Sequence, residues 1–377
     1  MIIKDAISIA QKLVSFNTVN PPGNEGESAN YIGGLLSSYG FSIEYIPFEG
    51  DRVHLIAEKG CSKESPAVVL TGHFDTVPLG VKQWTVAPFE GTVKGNKLYG
   101  RGSSDMKGGL AAMVVAAILA FTEGNPPSGV RLIFTSGEEL GCQGAKQLVA
   151  THKNLGLASG IIVGEPTANV PAIGHKGGLY LNLSLTGKTA HSSMPHLGDN
   201  AIYKAARAIL KVEKFDFRSE EDPLLGLPTI NVGQVFGGMN INSVPDQAGF
   251  TIDARTTTKI DHQKLLKQLK AELGDEVAIE TLVDLKAVSS DENDPFVQMV
   301  YSVCGISKGA EGYPKSLPYL TDGSVLQAAY NGVPTIILGP GQPEMAHQTD
   351  EFCYTAKIEE AVEIYKNIIF KRGTIDE

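Results

Sequence analysis

The sequence predicts an α/β protein with a mainly parallel central sheet, interrupted once by an inserted α+β segment. Three observations carry this reading. Strand-like and helix-like stretches alternate up to about residue 175, the pattern of βαβ units. From there the order becomes β-α-β-β-α-β over 177–288, which is that of a ferredoxin-like unit. After Glu292 the first style resumes, so 1–176 and 289–377 read as one discontinuous domain around the insertion.

The elements follow in order. MIIKDAISIAQKLVSF places apolar residues at helical spacing with Lys4 and Asp5 among them. That predicts an amphipathic helix over 3–15, not a secretory leader. A helix is predicted over 26–38, and strands over 41–48, 54–58 and 67–71. The run LAAMVVAAILAF is apolar all round, so the helix predicted over 106–122 should be buried against the sheet. A strand over 130–135, a helix over 143–151 and a strand over 160–163 complete this stretch. In the insertion, LYLNLSLT (179–186) alternates as a half-buried strand does. A helix over 200–214, strands at 229–236 and 248–255, a polar amphipathic helix over 261–273 and a strand at 277–285 follow. The last part holds helices near 295–304 and 322–330, the strand VPTIIL (333–338) and a final helix over 357–370.

Composition bounds the function. A chain of 377 residues with 42% hydrophobic and 20% charged residues fits an ordinary globular protein with a sizeable core. At ~150 residues per domain that length suggests two to three domains. The net charge of -10 argues against a nucleic-acid surface or a basic membrane face. No uninterrupted apolar stretch reaches the ~18 residues that span a bilayer. Four cysteines without CxxC spacing read as reduced thiols of a cytoplasmic protein.

The chemistry gathers at strand ends. TGHFDTVP puts His73 and Asp75 two residues apart after an apolar run, so both side chains can face one crevice. His73 then binds metal through one ring nitrogen while Asp75 accepts the other N–H. Alone, His-x-Asp is more often a surface histidine beside an unrelated acid; the run LYGRGSSDMKGG that follows shifts the balance. Asp105 in that run reads as a helix cap or as a carboxylate bridging two cations, and the turn admits a cis peptide after it. Glu138 and Glu139 follow RLIFTS; neighbours point differently, so Glu139 is given the metal and Glu138 the role of general base. Glu165 follows IIVG, and His347 lies in GPGQPEMAHQTDE. Each is ordinary singly. Jointly, His73, Asp105, Glu139, Glu165 and His347 form an oxygen/nitrogen donor set that suits Zn, Mn or Co.

TGHFDTVP, LYGRGSSDMKGG, TSGEE, GEPT and AHQTDE, in this order, resemble the acetylornithine deacetylase, succinyl-diaminopimelate desuccinylase, aminoacylase and carboxypeptidase G family of co-catalytic metallohydrolases. NPPGNE and the Trp84…Pro88-Phe89 segment are similar to that family too. The resemblance implies a zinc-exopeptidase-like catalytic domain and an inserted lid and dimerisation domain. It implies two divalent metal ions, one held by His73, Asp105 and Glu165, the other by Asp105, Glu139 and His347. Asp75 then supports His73, and Glu138 activates the bridging water. His191 is cast as the oxyanion stabiliser, acting in a partner subunit's site. Asn242 and Arg255 are cast as binders of a substrate carboxylate, with Gly339 presenting backbone groups. A glutamate as third ligand leans toward acyl-amide substrates. The expectation is a homodimeric cytoplasmic deacylase of an N-acyl amino acid, of the kind used in amino-acid biosynthesis. A carboxypeptidase or dipeptidase, or a non-catalytic binding homologue, are the competing expectations.

Overall fold

The computed structural model describes residues 5–62, 65–152, 154–307 and 312–371. Residues 3 and 4 of the first predicted helix lie outside the described residues. The chain divides into two compact units. One comprises Met1–Gly174, Ser289–Leu317 and Thr321–Glu377; the other comprises His175–Val288 and Pro318–Leu320.

The first unit is built on a six-stranded sheet in the order Ser42–Pro47, Val53–Lys59, Val130–Thr135, Ala67–His73, Ala158–Val163, Thr335–Ile337. The last four run parallel; the first two are antiparallel additions at one edge. Every residue of Ala67–His73 and of Val130–Thr135 is buried, as expected of strands covered on both faces. From Ala67–His73 the chain crosses through the helix Gly108–Glu123 to the strand on one side. It then returns through the helix Gln143–Thr151 to the strand on the other. Right-handed crossovers in opposite senses place these helices on opposite faces and open a crevice beyond His73. That crevice receives the four parallel C-terminal ends, and with them the loops that carry the chemistry.

Gly108–Glu123 packs against Ala6–Ser15 and Thr355–Lys371, and its residues from Gly108 to Ala120 are all buried. By length and composition Ser103–Glu123 is apolar enough to cross a membrane, yet it is the core helix of this unit. The helix starts at Gly108, two residues later than predicted, because Asp105 and Met106 have non-helical backbone angles. A cis peptide joins them. Met106 lies flat on the end of the central strand, where Gly72 makes room: a Cβ there would sit 2.1 Å from Met106 Cε. A three-stranded sheet of Thr92–Lys94, Lys97–Tyr99 and Phe352–Tyr354 was not predicted; each strand is three residues long, too short for an alternation to register.

The second unit carries a four-stranded antiparallel sheet in the order Thr229–Gly237, Gln247–Thr256, Gly177–Thr186, Val277–Leu285. With helices Ala201–Glu213 and His262–Leu273 this is the ferredoxin-like order of elements. Leu179, Leu181, Leu183 and Leu185 alternate into one core with Ala205, Val212, Phe250, Leu265 and Leu269. The polar residues between them occupy the opposite face. Asn200 and Asp261 cap the two helices through their side chains.

Candidate active site

The crevice brings together the side chains that the sequence scatters over nearly three hundred residues. His73 Nε2 lies 3.2 Å from Asp105 Oδ1 and 3.6 Å from Glu165 Oε1. His347 Nε2 lies 3.2 Å from Glu139 Oε2 and 3.5 Å from Asp105 Oδ2. Asp105 therefore turns one oxygen toward each imidazole. The ligand atoms of His73, Asp105 and Glu165 lie within 4.8 Å of one another, and so do those of Asp105, Glu139 and His347. His347 adopts a left-handed backbone at φ 64, a conformation costly for a side chain that is not glycine and one that aims its ring from the loop.

Asp75 does something other than predicted. The His73 Nδ1 contact is to the Asp75 backbone carbonyl at 2.9 Å, while the carboxylate stands off at 3.6 Å. That carboxylate is occupied by the next loop: it accepts from the backbone N–H of Gly137 (2.9 Å), Glu138 (3.1 Å) and Glu139 (3.2 Å), and from Asn20 Nδ2 (2.9 Å). Four donors on one buried acid fix the turn that presents both glutamates. Glu351 does the same for Asp105. It accepts from the N–H of Gly102, Ser104 and Asp105 at 2.8 to 3.0 Å and from Arg101 Nη1 at 2.7 Å. Neither cradle is legible beforehand, since a buried carboxylate receiving backbone donors looks like any other acid in sequence. Asn20 lies in NPPGNE and Glu351 in AHQTDE, so motif membership was the only available signal.

Burial shapes the charges. It pushes the Glu138 carboxyl well above its ordinary range and Glu165 up to about 8, with the neighbouring carboxylates adding to the rise. Burial also raises Glu139. Burial alone would raise Asp75 too, but the His73 imidazole and the donors around its carboxylate hold it at about 2. The hydrogen bond to Glu139 carries His347 up to about 9 against the opposing effect of burial.

The donor set fits a pair of divalent cations. Glu139 Oε1 is buried without a hydrogen-bond partner, an uncompensated acceptor that a cation would satisfy. The three carboxylates of the set, packed at short range, repel one another unless positive charge joins them. Oxygen and imidazole ligands without thiolate suit Zn, Mn or Co.

Other predicted residues fare differently. Gly339 cannot serve substrate through its backbone: its N–H donates to Thr167 Oγ1, and its carbonyl accepts from the N–H of Thr167 and Asn169. It is glycine because a Cβ would meet the Gly164 carbonyl at 2.1 Å, so it packs the Glu165 loop instead. In the second unit, Arg255 directs its fork at Asp253 (2.8 and 3.1 Å) and stacks over Tyr180. Asn242 is exposed and accepts the Ser192 N–H through its backbone carbonyl. His191 is exposed, and its Nδ1 accepts the N–H of Ser193 at 3.1 Å. That bond leaves the proton of a neutral ring on Nε2, free to donate.

A model of peptidase family M20/M25/M40 matches residues 69–371. A Staphylococcus epidermidis protein described as a probable succinyl-diaminopimelate desuccinylase is 32% identical, with 97% of each chain covered. An acetylornithine deacetylase from Vibrio vulnificus is 29% identical over 95% of each chain. An M20 family metallo-carboxypeptidase from Sulfolobus solfataricus shares the fold with a TM-score of 0.80 at 20% identity, covering 97% of this chain and 99% of that one.

Proposed function

This chain belongs to peptidase family M20/M25/M40, and it is a metal-dependent hydrolase of amide bonds; we propose that it removes an acetyl or succinyl group from an N-acyl amino acid. The observation that carries the two-cation reading is the division of Asp105 between His73 and His347. His73, Glu165 and one Asp105 oxygen would hold one cation; Glu139, His347 and the other oxygen would hold the second. When bound, such a pair polarises the amide carbonyl and lowers the pKa of water from ~15.7 toward ~7.

The chain's own groups do the rest. Glu138, raised by burial, is a stronger base than a solvated carboxylate, and it takes the proton of the attacking water. It then passes that proton to the departing amine. His191 donates from Nε2 to the developing oxyanion, in its own or a partner subunit's site. Asn242 and Arg255 take the substrate carboxylate, Arg255 by exchanging Asp253 for it.

The 177–288 segment acts as lid and dimerisation domain, and the enzyme works in the cytoplasm as a homodimer. Support for the dimer lies in the free edge strand Thr229–Gly237, where Val235 and Phe236 are 67% and 50% exposed beside Ile202. An acylated amino acid is preferred over a peptide because the two relatives are described as a probable succinyl-diaminopimelate desuccinylase and an acetylornithine deacetylase.

Glu138→Gln tests the mechanism: turnover should vanish while bound metal is retained, and undiminished turnover removes Glu138 from the role of base. A panel of N-acetyl and N-succinyl amino acids beside dipeptides tests the substrate. Faster cleavage of the dipeptides would favour the carboxypeptidase or dipeptidase reading.

A further inference from the structure

The structure assembles a third set of ligand atoms, one of which belongs to Glu138. Glu138, Cys142 and Asp322 offer a carboxylate oxygen, a thiol sulfur and a second carboxylate oxygen within 4.8 Å of one another. The Cys142 thiol donates to Glu138 Oε1 at 3.4 Å. Thr135 Oγ1 donates to Asp322 Oδ2 and anchors that side chain. Asp322 Oδ1 is buried and accepts no hydrogen bond of ordinary geometry, the Cys142 thiol being the weak donor beside its carboxylate. An acceptor oxygen buried at that depth with at most a thiol to face has lost hydration that a cation would replace.

We propose that Glu138, Cys142 and Asp322 form an inhibitory binding site for a thiophilic divalent cation such as Zn2+ or Cd2+. One sulfur and two oxygen donors differ in kind from the sulfur-free catalytic set, and the sulfur selects for soft ions over Mg2+, Ca2+ or Mn2+. Three protein donors leave a fourth tetrahedral position for water. The thiol gives up its proton to solvent when the ion binds, and the two cations already held nearby repel a third, so this site fills after the catalytic pair. Occupancy pairs the ion with the Glu138 carboxylate, so that carboxylate no longer accepts a proton from water. Excess cation therefore arrests the reaction. This consequence rests on Glu138 being the base; the cation site itself does not.

The test loads the full-length protein with Cd2+. Bound Cd2+ is counted while the ultraviolet thiolate-to-Cd2+ charge-transfer absorption is followed. The catalytic donors contain no sulfur and stay silent in that absorption. The expected result is thiolate absorption that grows only beyond two equivalents and is lost in Cys142→Ser. Inhibition by excess Zn2+ should move to about tenfold higher concentration or beyond in that variant, since the thiolate is the strongest soft donor of the three. No thiolate absorption in the wild type, or absorption that survives unchanged in Cys142→Ser, overturns the proposal. Should Cys142→Ser fail to fold, Asp322→Asn replaces it, with the same weakening expected and an unchanged titration counting against the site. Fewer than two silent equivalents would instead count against the catalytic pair, so the two readings fail separately.

Discussion

Asp75→Asn is the substitution whose effect can be worked most fully from the geometry. The native carboxylate offers two acceptor oxygens to four donors: Gly137 and Glu138 N–H on Oδ1, Glu139 N–H and Asn20 Nδ2 on Oδ2. Asparagine keeps the volume but turns one oxygen into an NH2. In either orientation two donors then face a donor instead of an acceptor. Each buried group left unsatisfied costs about 1–3 kcal/mol, so the fold should lose about 2–6 kcal/mol. The same bonds hold the backbone of Glu138 and Glu139 in place. Groups that orient metal ligands change activity by about 10- to 100-fold when removed, and a fall of that size in kcat/KM is expected here. Urea unfolding of the metal-loaded protein measures the first quantity and steady-state hydrolysis of an N-acyl amino acid the second. Asn20→Ala removes one donor to Asp75 together with an Oδ1 that accepts no hydrogen bond, and should cost only about 1 kcal/mol. If Asp75→Asn keeps both stability and turnover while Asn20→Ala does not, the cradle argument is wrong.

Other outcomes follow from the same site. Glu351→Gln leaves the buried Arg101 without its charged partner and two cradle donors without acceptors, and should destabilise the fold by about 3–5 kcal/mol in chemical denaturation. In the metal-free protein at pH 7, Glu165 with a pKa of about 8 and His347 with one of about 9 are both protonated. Cation binding must expel those protons, so affinity should rise as pH climbs from 6 through about 9, with proton release seen by calorimetry in buffers of different ionisation enthalpy. A flat affinity across that range would contradict the assignment of Glu165 and His347 as ligands. His191→Ala should lower kcat by about 10²–10³-fold with little change in KM, the signature of a donor used in the transition state. A change confined to KM would make His191 a substrate-binding residue.

The sequence exposed the scaffold because hydrophobic periodicity is a local signal. The alternation of strands and helices, the β-α-β-β-α-β insertion and the apolar helix that became Gly108–Glu123 were all readable within windows of a dozen residues. His73, Glu139, Glu165 and His347 were readable because they end or follow strands of a parallel sheet, whose ends share one edge, and Asp105 because a Gly-rich run sets it just before the buried helix. What stayed hidden depends on which donor meets which acceptor across long separations. The Asp75 carboxylate serving residues 137–139, and Glu351 serving residues 102–105, are contacts spanning more than sixty and more than two hundred residues. Gly339 was misread for the same reason: its need for a missing Cβ arises from the carbonyl of Gly164, which periodicity cannot place. Asp322 carries no ligand signal in the sequence, because nothing local marks that the fold brings it beside Cys142.

The most direct measurement is anomalous diffraction from crystals loaded with two equivalents of Zn2+ or Mn2+ per chain. Two peaks about 3.5–4 Å apart, one on each side of Asp105, are predicted, the first against His73 and Glu165 and the second against Glu139 and His347. A single peak, or ions located away from Asp105, would contradict the account.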